Sequence, residues 1–206
     1  HTVHQLSCGG CQNHCSLTVN TFSGGRRYIA GNRCSRPLEQ EHTAEHYDLY
    51  EYKRTLLQKY RHNYRDPNKK TIGIPMGLNM FELYPFWRAF FASLGWQTVP
   101  SPVSDRDLYL SGQGTIPSDT VCYPAKLMHG HIEALKKQDV DFIFYPCMSY
   151  NLDEHTGDNH YNCPVVAYYP EVIAGAYDGQ APFIYDYIGL HREKDFPKHI
   201  VRILRP

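Results

Sequence analysis

The most constraining stretch of this sequence is Phe142-Ile143-Phe144-Tyr145, an apolar run rich in β-formers that Pro146 brings to a stop. A short continuous apolar run with a breaker behind it reads as a strand buried on both faces. That is the signature of a parallel sheet covered by helices. Cys147 follows at once, where such a strand opens into a loop. Ligands of open α/β sheets gather beyond the carboxyl ends of the strands. The thiol is therefore expected to serve chemistry rather than to fill a core.

The neighbouring sequence supplies the rest of such a sheet. Ile72-Gly73-Ile74-Pro75 reads as a short strand. Asn79–Leu94 reads as a helix with Met80, Leu83, Trp87, Phe90, Phe91 and Leu94 on its apolar face; Gly95 stops it, and Pro85 kinks it or moves its start. Trp96–Pro100 is a second strand, and Ser104–Leu110 a short helix capped by Ser104. Pro124 opens a helix over Ala125–Lys137, with proline in the first turn. Beyond Asp141–Pro146, Val165–Tyr169 is read as another strand and Phe183–Tyr187 as a fifth. Helices between strands at short spacing predict an α/β fold. Residues 71–206 are expected to form a doubly wound, mainly parallel sheet of four or five strands, of the flavodoxin or Rossmann type.

Residues 1–37 read as a separate unit. Cys8-Gly9-Gly10-Cys11 is a C-x2-C; Cys15 follows after three residues and Cys34 after a further eighteen. Leu17 and Val19 alternate with polar residues, and Ser23-Gly24-Gly25 marks a hairpin turn that would carry Cys34 back towards the first three thiols. Gly9 and Gly10 allow a tight backbone, so that neighbouring sulfurs face one centre. Four gathered thiolates bind either Zn²⁺ or an iron–sulfur cluster. Zinc ribbons usually present two C-x2-C knuckles, whereas this chain has one knuckle, a single extra Cys and a distant one. The pattern fits a 4Fe–4S cluster on Cys8, Cys11, Cys15 and Cys34, with Zn²⁺ as the alternative, because sulfur geometry alone does not separate them. It resembles the N-terminal iron–sulfur segment of molybdopterin oxidoreductases. His14 inside the motif is read as solvent-facing. Residues 38–70 form a connector, helical over 38–66, where Leu38, Tyr47, Tyr50, Leu56 and Leu57 stand among charges that include Glu39, Glu41, Glu45, Lys53 and Arg54.

Composition narrows the partners. Lys plus Arg and Asp plus Glu each number 21, so the chain lacks the basic surplus of a nucleic-acid binder. No apolar run approaches the ~18–20 residues that span a bilayer. Seven cysteines, an odd number in clustered spacing, point to ligation in a reducing, cytoplasmic setting rather than to a disulfide framework. The start at His1 and the stop at Pro206 read as a piece of something longer.

The other three cysteines, Cys122, Cys147 and Cys163, are linked by expected topology rather than by local spacing. Cys122 precedes a helix, Cys147 follows a strand, and Cys163 lies in the loop feeding the run Val165–Tyr169. Each has a proline nearby: Pro124, Pro146 and Pro164. The helix behind Cys122 puts that sulfur at the positive end of a dipole, where an anionic ligand atom is favoured. Three thiolates on one sheet edge would hold a cluster and leave one iron open. The rival readings are a single redox pair or three unrelated thiols. His129 and His131, two apart on a helix, face different directions. His160 would serve as a donor or proton carrier if its loop lines a pocket, and Lys126 would meet an anion if it is not simply a surface lysine.

Long stretches of this chain resemble one family. They include Cys8-Gly9-Gly10-Cys11-Gln12-Asn13-His14-Cys15, Val121-Cys122-Tyr123-Pro124-Ala125-Lys126, Phe144-Tyr145-Pro146-Cys147 and Asp158-Asn159-His160-Tyr161-Asn162-Cys163-Pro164. They look like the CoA-enzyme-activase-associated domain of the large proteins related to 2-hydroxyacyl-CoA dehydratase activators. The resemblance extends to the dehydratase subunits themselves and to double-cubane cluster proteins. It implies that Cys122, Cys147 and Cys163 hold a 4Fe–4S unit. It also implies that ATPase activator modules lie in the same full-length chain, that a redox partner receives the electrons, and that acyl-CoA is a candidate ligand. The chain has no phosphate-binding glycine loop of its own. The expected role is an iron–sulfur module that passes low-potential electrons in an ATP-driven reductase of an anaerobe. The alternative is a zinc-stabilised, non-catalytic interaction domain; a CoA-thioester-binding domain acting alone is a third reading.

Overall fold

A computed structural model of the chain describes residues 1–38, 48–61 and 65–205. They fall into two compact units, His1–Leu49 and Tyr50–Pro206.

The first unit is a three-stranded antiparallel sheet in the order β1-β2-β3, where β1 is Thr2–Ser7, β2 is Ser16–Thr21 and β3 is Arg27–Ala30. The hairpin expected from Leu17, Val19 and the Gly-Gly tip is β2–β3, and its turn uses Gly24 and Gly25 at φ +80° and +77°. The strand β1 completes the sheet by pairing Ser7 with Ser16 and Thr2 with Thr21.

The expected connector falls partly on residues 39–47 and 62–64, which lie outside the described residues, as do Glu39, Glu41, Glu45 and Tyr47. Within it, α1 runs over Leu49–Gln58.

The second unit alternates β4 (Thr71–Ile74), α2 (Leu78–Ser93), β5 (Gln97–Pro100), α3 (Arg106–Gly112), α4 (Tyr123–Lys136), β6 (Phe142–Phe144), α5 (Pro164–Ala176), β7 (Phe183–Ile184) and α6 (Phe196–Leu204). Its sheet is wholly parallel, in the order β5-β4-β6-β7. The chain winds outward from β4 to β5 and then crosses back to β6 on the other side. The order therefore reverses between β4 and β6, where doubly wound sheets hold their ligands.

The central position of β6 explains its composition. Ile143, Phe144 and Tyr145 are all fully buried although successive side chains point to opposite faces. Trp87 packs edge-on to Phe144 at 4.7 Å between ring centres, and Phe91 does so at 5.1 Å. Helix α2 runs unbroken through Pro85, with Met80, Tyr84, Trp87 and Phe91 buried. The burial of that face outweighs the hydrogen bond that proline removes. The cap of α3 is Asp105, which accepts from Leu108 N–H at 2.7 Å, rather than the expected Ser104.

One expected strand is corrected. Val165–Tyr169 is helical, the first part of α5. Its β-branched valines imitate a strand, but burial falls at Ala167, Pro170 and Ile173, three residues apart. Pro164 presets the first turn, and Cys163 caps it by accepting from Val166 N–H at 3.5 Å. Cys163 thus begins a helix rather than feeding a strand.

Candidate functional site

In the first unit all four cysteines collect at one end of the sheet. Cys8 N–H donates to Cys15 O at 2.8 Å, closing the loop that joins β1 to β2 with Cys11 at its tip. The strand β3 pairs Ala30 with Thr18 and delivers the chain to Gly31, at φ +88°. A Cβ on Gly31 would stand 2.2 Å from Ser16 O, so only glycine permits this return. Beyond it, Asn32 Nδ2 donates to Cys34 O at 2.9 Å, and the Arg36 guanidinium reaches back to Gly10 O. Cys34 is thereby brought to the end that holds Cys8, Cys11 and Cys15. All four are free thiols, half-buried at Cys8 and Cys15 and exposed at Cys11 and Cys34. His14 is exposed.

In the second unit Cys122 and Cys163 stand at two helix starts and Cys147 at a strand end, at the carboxyl edge of the sheet. Cys122 is the N-cap of α4, with φ −63° and ψ 152°. Cys163 is the N-cap of α5, with φ −61° and ψ 153°. Proline follows each within the first turn, so two helices of 14 and 13 residues begin from cysteines in the same conformation. Cys147 follows β6 and continues its pairing: its N–H donates to Asp186 O at 3.1 Å, and Ile188 N–H donates to its carbonyl at 3.0 Å.

Tyr145 lies among these thiols. Residues two apart on an extended segment share a face, so Tyr145 is aimed with Cys147. Its side chain is fully buried, and its hydroxyl has no hydrogen-bond partner among the described residues. Burial, and then the charge of Cys147, Tyr169, Cys163 and Cys122, pushes its phenol well above the usual range. All three cysteines are near enough for their charge to bear on that hydroxyl, and none is hydrogen-bonded to it. Burial likewise pushes the Cys147 thiol up to about 11. Cys122 and Cys163 are exposed, whereas Cys147 is fully buried. Cys147 nonetheless lines a cavity of about 220 Å³ together with Tyr150, Tyr187, His191, Arg192 and His199. The His191 Nδ1 in that wall is buried without a partner among the described residues.

A polar chain backs the triad. Thr115 Oγ1 donates to Gly112 O at 3.0 Å and accepts from His129 Nδ1 at 2.8 Å. His129 Nε2 therefore accepts from the Tyr169 hydroxyl at 2.9 Å. Burial lowers the His129 pKa, so the ring stays neutral, and burial followed by the charge of Cys122 raises that of Tyr169.

Among the described residues, no three His, Cys, Asp or Glu side chains form a group placed to hold a single metal ion. Of the residues read as optional participants, Lys126 donates to Asp119 O at 2.8 Å and faces its carboxylate at 3.6 Å. His160 lies 5.8 Å from the Tyr150 ring. His129 and His131 do face different partners, and both are buried. Sequence reasoning passed over Tyr145, Tyr169 and the histidine networks. The one available signal was the two-residue spacing of Tyr145 and Cys147.

No helix among the described residues is long and apolar enough to cross a membrane. Neither curated proteins nor solved structures yield a match to the chain. The family model described as "CoA enzyme activase uncharacterised domain (DUF2229)" matches residues 71–205, well over half of the chain. With the α/β unit and its cysteine-edged sheet on that same span, the chain belongs to the CoA enzyme activase uncharacterised domain family.

Proposed function

We propose that this domain is an iron–sulfur redox module of an ATP-driven activase or reductase, with ATPase modules elsewhere in its full-length protein and a dehydratase-related partner that receives the electrons. Cys122, Cys147 and Cys163 would hold one 4Fe–4S cluster, and Cys8, Cys11, Cys15 and Cys34 a second. Such a cluster, when bound, takes up and releases one electron at low potential. The observation that carries the reading is the placement of the three cysteines: Cys122 and Cys163 cap α4 and α5 in the same conformation, Cys147 ends the central strand, and two residues before it stands a buried, unpartnered Tyr145 hydroxyl.

The chain's own residues suit a thiolate-ligated group. The N-termini of α4 and α5 supply positive dipole ends to Cys122 and Cys163, which offsets anionic charge on their sulfurs. The Tyr145 hydroxyl would donate to an acceptor held between the thiols, and Tyr169, anchored by His129, presents its oxygen nearby. Hydrogen bonds and dipoles of this kind set cluster potentials. The cavity beside Cys147 would admit a small molecule to that side.

The test is iron and acid-labile sulfide counting on anaerobically purified protein, with EPR after dithionite. About eight iron atoms per chain are expected, falling to about four in Cys122→Ala and in Cys11→Ala, each with loss of a different signal. Zinc without iron would overturn the electron-transfer reading and leave the zinc-stabilised interaction domain in its place.

A further inference from the structure

A second cavity, of about 290 Å³, has Arg61, Gly77, Leu78, Phe81, Ser104 and Pro124 in its wall. That volume is at the low end for ligand pockets, so it suits a small molecule. Its charged side chains are the guanidinium donors of Arg54 and Arg61, and Gln58 and Ser104 add an amide and a hydroxyl. Arg61 is half-buried and donates to Ser101 O at 2.5 Å. Among the described residues no carboxylate lies within ion-pair distance of Arg61. Arg54, also in the wall, is paired with Glu51 at 2.7 Å.

The hydrogen-bond chain beside it fixes the role of Ser104. Met76 N–H donates to Ser101 Oγ at 2.8 Å. That wholly buried hydroxyl hands its own proton to His131 Nδ1, at 2.8 Å. His131 then carries its proton on Nε2 and donates to Ser104 Oγ, at 2.9 Å. Ser104 receives this bond and keeps its own proton for a further acceptor. Helix α2 also starts at the wall, and Gly77 gives it no side-chain cap. A side chain there would crowd the core, because a Cβ on Gly77 would stand 2.4 Å from Met128 Sδ, which would have to shift. Leu78 next to it is held at φ +49°, a strained setting that clusters at functional sites.

We propose that this cavity binds a small organic carboxylate, with its head on Arg61 and Ser104 and its carbon chain against Phe81, Val103 and Leu127. One uncompensated guanidinium and one hydroxyl match a single negative charge on two oxygens, whereas a phosphate dianion needs a second free cation. The site needs no iron, so it goes beyond the redox reading and its outcome leaves the iron count untouched.

The test is saturation-transfer NMR and calorimetry on the protein with butyrate, butyramide and inorganic phosphate. Saturable binding of butyrate is expected, with butyramide weaker by about tenfold or more, because the amide lacks the charge that strengthens a hydrogen bond to a guanidinium. Arg61→Gln should weaken butyrate by a similar factor and bring it level with butyramide, with an unchanged circular dichroism spectrum. Ser104→Ala, which removes no charge, should weaken butyrate by a smaller factor and serves if Arg61→Gln does not fold. The proposal is overturned by absent butyrate binding, by equal affinity for butyramide, by phosphate binding more tightly than butyrate, or by variants that bind as the parent does.

Discussion

Replacing Tyr145 by Phe removes one oxygen atom and leaves the ring packed. The hydroxyl is buried and has no partner among the described residues. A polar group buried in that way costs roughly 1–3 kcal/mol, while the loss of ring packing in Tyr→Phe is negligible. Iron-free Tyr145→Phe should therefore be more stable than the parent by about 1–2 kcal/mol. For a domain of this size that is a rise in Tm of roughly 2–8 °C. The assay is urea unfolding at pH 7.5 under reductant, followed by far-UV circular dichroism and by aromatic fluorescence, with equal m-values required for the comparison. Iron-loaded protein should reverse the sign, because the hydroxyl then has an acceptor to lose. If iron-free Tyr145→Phe loses about 1 kcal/mol or more, the hydroxyl is bonded in the fold and the reasoning about this centre fails.

Two other perturbations follow from burial and from close packing. Burial lowers the His131 pKa to about 4 from an ordinary 6.5, so the unfolded chain takes up the proton first as pH falls. The resulting stability, of order 3 kcal/mol, is whole above pH 6.5 and lost between pH 6.5 and 4; His131→Gln should flatten that slope in unfolding titrations, and an unchanged slope would show that another group carries it. Helices α3 and α4 cross at glycines: a Cβ on Gly112 would stand 2.2 Å from Gly130 N, and one on Gly130 would stand 2.0 Å from Leu108 O. Gly112→Ala or Gly130→Ala should cost ~3 kcal/mol or more, since overpacking outweighs the ~1 kcal/mol gain in helix propensity; a loss below about 1 kcal/mol by urea unfolding would contradict so close a crossing.

The α/β architecture was legible because its signals are local. The run Phe142–Tyr145 with Pro146 behind it, the helix face from Met80 to Phe91 and the proline ahead of Ala125 each report a short-range preference, and the fold agrees with all three. The hairpin of the first unit was legible for the same reason, through Leu17, Val19 and Gly24-Gly25. The segment after Cys163 was misread because Val165 and Val166 favour a strand locally. The decision belonged to Ala167, Pro170 and Ile173, which bury a helical face against the rest of the unit.

Taken alone, the sequence determined which elements form, where prolines and glycines end them, and that cysteines stand at several of those ends. These are matters of backbone preference and of hydrophobic period, which neighbouring residues settle among themselves. Only the tertiary structure decided that Cys122, Cys147 and Cys163 bear on one buried Tyr145 hydroxyl, that His129 and His131 are neutral links in hydrogen-bond chains, and that Arg61 has no carboxylate within ion-pair reach among the described residues. Those facts depend on the crossover from β5 to β6 and on desolvation at the reversal of strand order. Both bring together residues far apart in the chain, where no local pattern records their meeting.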